Sequence, residues 1–423
     1  MRFSHYRFAL LVILSVFLLG CQGPKETDEV AFIFALGLDK DGQDKVKVTY
    51  RILIPRAASS QANGAQPPRS PVVSNSIIAP NTAEAFNLLG STISRFPNLM
   101  HLKAIAISEE LARSGISEPI SALVRYREYR GTVYIVVVKG RADEFFEKNL
   151  PKLDYFPTKF WETFMQSAKN NSYYSQSDLH DFYLHLKSPG ASPYAAYVGI
   201  NALAGVDRPA AQATEQDRTN AYLPGGIPRT GDENQIEIAG TALFSGYKMV
   251  GTIDTKQTRT LAILQNTFEQ GFFVLSDPLD PGKKINVNLR NGSKPAIKAS
   301  LINGKAFYTI KVFLEGEISA IPSGISYEKT ENRQLLEAAI SSLIKEQVLE
   351  LIRYTQKLGS DAAGLGRYLR PEFASYEELR QANLIELFRT ADVQVEVTTE
   401  LRRTGLMWRT SPYAPVKATD NGG

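Results

Sequence analysis

KINVNLRNGSKPAIKASLINGKAFYTIKVFLE, residues Lys284–Glu315, decides the class of the fold. It holds three strand-forming runs, Lys284 to Arg290, Ala296 to Ile302 and Ala306 to Glu315. They are joined by Asn291-Gly292 and Asn303-Gly304, dipeptides that supply the positive φ of a tight hairpin. Three strands in succession make a meander. From Glu331 to Leu358 the apolar residues Leu336, Ile340, Leu343, Ile344, Val348, Leu351 and Ile352 recur on one helical stripe, with Thr330 placed to cap its start and Gly359 its end. A one-faced sheet followed by a one-faced helix is an α+β arrangement, and the two apolar faces are expected to pack together. Val393 to Leu401 alternates Val393, Val395 and Val397 with polar residues, and is expected to add a closing strand to the same antiparallel sheet.

Working outward toward the N-terminus, Asp277-Pro278-Leu279-Asp280-Pro281-Gly282 reads as a domain break, with two prolines and a glycine in six residues. Before it, Ile236 to Phe244 and Tyr247 to Ile253 flank Ser245-Gly246 as a hairpin, Thr255 to Thr267 reads as a helix, and Gly271 to Leu275 as a strand. Ala204 to Asp232 reads as a long exposed loop. Ala142 to Lys148, Thr158 to Ala168 and Ser177 to Leu186 are helical, and their aromatics Trp161, Phe164, Phe182 and Tyr183, with Tyr173 and Tyr174 between, fit a core better than a ligand-stacking cluster.

Nearer the start, Val30 to Leu38 and Val46 to Ile52 form a hairpin across Asp39-Lys40-Asp41-Gly42. Gln61 to Ser76 reads as a loop, and a helix begins at Asn81 or Thr82 with Thr82 as its cap. A strand at Lys103 to Ile107, helices at Glu110 to Arg113 and Ser117 to Tyr126, and a buried strand at Thr132 to Val138 follow. The predicted fold is α+β, in three domains with mixed or antiparallel sheets flanked by helices. Residues 28–142 make an N-terminal α/β domain and 143–277 a middle α+β domain. Residues 278–410 make a C-terminal α+β domain of meander, long helix and closing strand, and 411–423 a flexible tail.

Residues 1–20 have the order of a secretory signal: Arg2, His5 and Arg7, an apolar run from Phe8 to Leu19, then Gly20. The run falls short of the ~20 apolar residues that a membrane-spanning helix needs. Leu18-Leu19-Gly20-Cys21 ends it, and Cys21 is the single cysteine of the chain. Cys21 is therefore the expected lipidation site, and two acyl chains on one residue suffice for stable anchoring. Residues 21–29 form the tether, of which Gln22 to Glu29 reach at most about 30 Å. A lone cysteine also rules out intramolecular disulfides. Without the signal the balance is 46 basic against 44 acidic residues, which gives no reason to expect nucleic acid as a partner.

No catalytic residue, cofactor site or metal site is expected. Thiol catalysis and cysteine-ligated metals fail for want of a second cysteine. His180 and His185 are five apart, so on a helix they point about 140° apart and do not share a metal. There is no G-x-S-x-G elbow, P-loop or dinucleotide-binding fingerprint. Gly364-Leu365-Gly366 lacks the third glycine of a phosphate loop and reads as a turn.

Several stretches together resemble the C subunit of spore germinant receptors, the Ger(x)C lipoprotein family. They are the lipobox at Cys21; Leu36-Gly37-Leu38-Asp39 leading to Val46 through Pro55; Thr82-Ala83-Glu84-Ala85-Phe86; and His101 through Glu110 with Gly115-Ile116. The second half adds Gly240-Thr241-Ala242-Leu243-Phe244, Lys248-Met249-Val250-Gly251 and Asp361 through Arg370. The stretch after Arg370, Pro371 to Arg389, lacks the tryptophan usual in the family. The resemblance implies a nonenzymatic lipoprotein with palmitate on Cys21, on the outer face of the spore inner membrane. Its partners would be integral-membrane A and B type receptor subunits, and the membrane itself through the lipid anchor. From the sequence, a solute-binding lipoprotein of an importer is the alternative function and an exported enzyme a third class.

Overall fold

The computed structural model describes residues 29–54, 72–126, 129–151, 157–202, 204, 221–229 and 234–403. The first half builds β1 (Val30–Asp41), β2 (Lys45–Leu53), β3 (Val72–Ala79), α1 (Thr82–Leu89), β4 (Phe96–Asn98), β5 (Ala104–Ser108), α2 (Glu109–Ser114), α3 (Ser117–Arg125) and β6 (Tyr134–Lys139). Then come α4 (Ala142–Lys148), α5 (Pro157–Asn171), α6 (Leu179–Lys187), β7 (Tyr194–Ile200), β8 (Ile236–Ser245) and β9 (Lys248–Ile253). These strands form a single sheet in the order β3-β2-β1-β5-β6-β7-β8-β9, with β4 beside the start of β1. Its centre, β1-β5-β6-β7, is parallel and its two flanks are antiparallel.

Side chains explain why helices cover both faces. In Ala104-Ile105-Ala106-Ile107 the isoleucines face one core with Leu111, Ile120 and Phe182, while the alanines face the other. The alanine side is where the bulky Phe145, Phe146 and Trp161 of α4 and α5 lie. Small residues on the strand leave room for large ones on the helix, at the close-packed density of a protein interior.

The second half builds α7 (Thr255–Gln265), β10 (Gly271–Asp277), β11 (Asp280–Asn291), β12 (Ala296–Ile302), β13 (Lys305–Ala320) and α8 (Thr330–Leu358). A 3-10 helix (Leu365–Glu372), α9 (Tyr376–Gln381), α10 (Leu384–Arg389) and β14 (Asp392–Arg403) complete it. Along one side of β13 lies β14; the other side pairs with β12 over its first part and with β11 over its last, and β10 lies outside β11. The stripe of α8 is buried, Leu336, Ile340, Val348 and Leu351 among it, in one core with Ile285, Val287, Leu289, Ile310 and Leu314 of the sheet.

The α+β class with sheets flanked by helices is as expected, and several particulars are corrected. The three-strand meander expected over Lys284–Glu315 is not formed: β11 and β12 do not pair with each other but follow one another along β13, so Asn303-Gly304 turns a hairpin and Asn291-Gly292 does not. The boundary expected at 142/143 lies between β6 and α4, and the sheet runs on through β7 to β9, because the apolar edge of β6 is completed by β7. The break expected at 277/278 is the turn of the β10–β11 hairpin. There Asp277, 1% exposed, accepts the N–H groups of Leu279 and Asp280 and the hydroxyls of Ser323 and Tyr327. Turn chemistry marked the place correctly but not its meaning.

The closing strand β14 joins the sheet parallel to β13, not antiparallel, because α8 and the helices after it carry the chain back to the end from which β13 started. Part of the Gln61 to Ser76 loop is strand, since β3 starts at Val72 and pairs with β2. The N-cap of α1 is Asn81, whose Oδ1 accepts from Glu84 N at 2.8 Å, not Thr82. Helix α8 starts at Thr330 with no side-chain cap, and Gly359 closes it in the left-handed conformation as expected.

Of the loop expected over Ala204 to Asp232, residues 221–229 are largely half-buried rather than exposed, held by the buried Glu237. Its carboxylate accepts from Gly225 N, Asn201 Nδ2 and Arg229 Nε. Cys21 and the tail 411–423 lie outside the described residues.

Candidate functional site

The residue expected to carry lipid, Cys21, lies outside the described residues, and so does the expected signal segment. The chain enters at Glu29 and passes directly into β1, inside the first sheet. Among the described residues no helix is long and apolar enough to cross a membrane.

The family-like stretches account for buried joints. In Leu36-Gly37-Leu38-Asp39, a Cβ on Gly37 would stand 3.1 Å from the ring of Phe146 and 3.2 Å from Ala142 Cβ, so glycine lets α4 lie close on β1. Asp39, 1% exposed, accepts from Ala142 N at 2.7 Å and Asp143 N at 3.1 Å. It supplies the cap that Arg141, the N-cap residue of α4, does not provide from its own side chain. Burial raises the Asp39 carboxyl above its ordinary value, against the two N–H bonds that lower it.

In Gly240-Thr241, the Thr241 hydroxyl lies 3.1 Å from that of Thr258 on α7 and 2.9 Å from that of Ser175. Asp361-Ala362-Ala363-Gly364-Leu365-Gly366 forms a latch between the two halves. The fully buried Asp361 accepts from Leu365 N at 2.9 Å and Gly366 N at 2.7 Å, bending the chain into the 3-10 helix. Its backbone exchanges bonds with Ser192, which donates from N to Asp361 O at 2.9 Å and accepts Asp361 N on Oγ at 2.9 Å. Ser360 Oγ donates to Phe244 O at 2.8 Å. Gly190 and Gly366 touch through their backbones, and a Cβ on Gly190, at φ +74°, would stand 2.5 Å from Gly366 C. Burial drives the Asp361 carboxyl up to about 6, although its N–H bonds and the nearby Arg367 pull the other way.

Arg259 is the second joint. It is 8% exposed, donates to Asn171 O from two nitrogens at 3.2 Å and to Phe272 O at 2.7 Å. Its guanidinium lies 4.7 Å from the Tyr173 ring centre and 4.6 Å from that of Phe273. Burial lowers its affinity for the proton, while carbonyl oxygens and ring faces replace water around the charge. Nothing in the sequence around Thr255–Thr267 distinguishes this arginine from a solvated helix residue.

The aromatics expected in the core divide. Trp161, Tyr174 and Phe182 are buried, Phe164 and Tyr183 pack partly buried, and Tyr173 is exposed against Arg259. His180 and His185 are not brought together with a third ligand. His185 Nδ1 pairs with Asp181 O at 2.7 Å, and burial lowers its proton affinity. Among the described residues no group of three or more His, Cys, Asp or Glu is placed to hold a metal ion. Gly364-Leu365-Gly366 is the turn it was read as, entering the 3-10 helix. A cleft of about 530 Å³ beside the latch runs between the α6–β7 connection and α9–α10, past His185, Lys187, Pro189, Tyr376 and Arg380. The buried Asp39, Glu237, Asp277 and Asp361 each accept backbone N–H groups, and the buried Glu315 pairs with Arg290 and Arg402.

The fold and these joints define a two-sheet α+β protein whose buried polar groups tie one half to the other. Comparison with known proteins gives the class a family. Residues 23–200 match the spore germination protein N-terminal domain, and residues 239–405 match the spore germination B3/GerAC-like C-terminal domain. The chain belongs to the Ger(x)C family of spore germination proteins. It is 24% identical over 414 residues to the putative spore germination protein YfkR of Bacillus subtilis, covering 97% of this chain and 99% of that one. To spore germination proteins KC and B3 of the same organism it is 22% identical, over 94% of this chain in each case and over 95% and 98% of theirs. The fold is shared with the crystal structure of the GerBC protein, at a TM-score of 0.51 and 16% identity over 87% of this chain and 96% of that one.

Proposed function

We propose that this chain is a nonenzymatic, lipid-anchored subunit of a nutrient germinant receptor. In this reading it is held through Cys21 on the outer face of the spore inner membrane, and it is needed for germination through contacts with membrane-embedded A and B type partner subunits. The observation that carries the reading is the end-to-end match to proteins named for spore germination, over both halves of the chain. Support from the chain itself comes from Leu18-Leu19-Gly20-Cys21 after an apolar run, and from buried acids committed to backbone bonds. The relatives carry spore germination names, which does not favour the solute-binding alternative.

Deleting the gene from a spore former is expected to abolish the germination response to at least one nutrient. Normal germination of the deletion strain with every nutrient rejects the proposal. The substitution Cys21→Ala is expected to move the protein from the membrane to the soluble fraction, because the acyl chains supply the anchoring. Retention of that variant on the membrane rejects the anchor.

A further inference from the structure

Phe96 and Met100 are 53% and 48% exposed, and they stand where the chain enters the first sheet. The Phe96 N–H donates to Glu29 O at 2.8 Å, and β4 runs parallel to Val30–Phe32. Their exposure is not that of a slack loop. Met100 N donates to Asn98 Oδ1 at 2.9 Å, Leu102 N to Leu99 O at 3.0 Å, and Lys103 N to Phe34 O at 2.8 Å. Leu99 and Leu102 are buried on either side of Met100, and the His101 ring meets the Phe32 ring edge-on at 5.3 Å between centres. Two large apolar side chains are thus held out from a fixed loop, beside the residue at which the tether ends.

The length of chain before Glu29 identifies what lies there. Eight residues, Gln22 to Glu29, reach at most about 30 Å from Cys21. A surface hydrogen-bonded to Glu29 is therefore confined to the neighbourhood of the leaflet that takes the acyl chains, at a high effective concentration of lipid. Resting on the lipid-anchor reading of Cys21, we propose that Phe96 and Met100 seat the folded body on the bilayer, their side chains entering the boundary between headgroups and acyl chains. The anchor supplies affinity, and the loop fixes which side of the body faces the lipid. Apolar side chains at that depth lose water without having to cross the hydrocarbon core.

The test uses the full-length lipidated chain in vesicles of phosphatidylcholine and phosphatidylglycerol. Phe96→Cys and Met100→Cys are each labelled with a nitroxide; with the Cys21 sulfur acylated, the introduced thiol is the sole one to react. Leu335→Cys and Ile302→Cys serve as controls, being apolar and 49% and 52% exposed elsewhere on the body. Labels at 96 and 100 are expected to be several-fold more accessible to oxygen than to a water-soluble nickel chelate, and the controls the reverse. Labels at 96 and 100 as open to the chelate as the controls, on protein that stays bound to vesicles, overturn the proposal and leave the anchor standing. A second label per chain, together with loss of vesicle binding, shows Cys21 unmodified and overturns both.

Discussion

Asp361 sets two effects against each other, and their balance decides how the latch responds to pH. Two backbone N–H bonds favour its carboxylate, but burial disfavours charge more strongly, and the carboxyl rises to about 6. In the unfolded chain the group titrates near its ordinary value of 3.8. The folded state therefore holds the proton more tightly than the unfolded one. The stability this group contributes is full below about 3.8 and is lost as pH rises through about 6. A shift of this size corresponds to on the order of 2–3 kcal/mol. Asp361→Asn mimics the protonated form at every pH, so the stability gap between variant and wild type is expected to move by that order in the variant's favour from pH 4 to 7. Urea midpoints across that range measure it; a gap that stays constant, or moves the other way, sinks the account. Asp143 titrates outside this window, because the hydrogen bonds of Arg141 and Lys47 outweigh its burial and hold it well below the usual carboxylate range.

At the scale of elements, α4 shows a cap supplied from outside its own helix. Asp39 accepts both Ala142 N and Asp143 N, so Asp39→Ala leaves two donors unbonded, one of them fully buried. The expected cost is about 1–2 kcal/mol in urea unfolding, with Asp39→Asn recovering part of it through its remaining oxygen. A cost below about 0.5 kcal/mol for the alanine variant, the level of an ordinary surface change, removes Asp39 from that role. The sequence marks Asp39 as turn material and as part of a family-like stretch but not as a cap, since its partner helix lies a hundred residues on and no local pattern connects them. The hairpins at Ser245-Gly246 and Asn303-Gly304 are legible because a turn and its two strands are one local signal, whereas Asn291-Gly292 joins two strands that each find their partner in the later β13. Strand β7, buried throughout, shows no alternation in the sequence, and the start of β3 reads as loop because an exposed edge strand with serines and asparagine shows no buried alternation. The direction of β14 is set by the path of the chain between α8 and Asp392, which composition does not encode. Of the site, the motif residues were visible as a family pattern, whereas the pairing of Asp361 with Ser192 and of Arg259 with Asn171 exists only once distant segments meet.

On the scale of the whole molecule, the question is whether the two sheets unfold together. They share apolar packing, since Leu243 and Ile253 of the first sheet lie in the core of the second. Tyr354 OH donates to Thr252 O at 3.1 Å across the same junction, and Ser192 N to Asp361 O at 2.9 Å. Arg259 adds a bridge from Asn171, at the end of α5, to Phe272 on β10. With these ties the intact body is expected to unfold in a single calorimetric transition despite its size. Arg259→Met keeps an apolar stem between Tyr173 and Phe273 but removes every donor, leaving the carbonyls of Asn171 and Phe272 without it. The expected loss is about 2–4 kcal/mol, the range for bonds made by a charged group together with desolvated cation–π contact. Because the residue stands between the halves and not within one, this loss falls on their coupling. The calorimetric peak of the variant is therefore expected to broaden or divide, with the second sheet and α8 melting apart from the first. A variant that melts in one peak at the wild-type temperature, or a wild type that already melts in two, shows that the junction does not couple the sheets and that the first half stands alone.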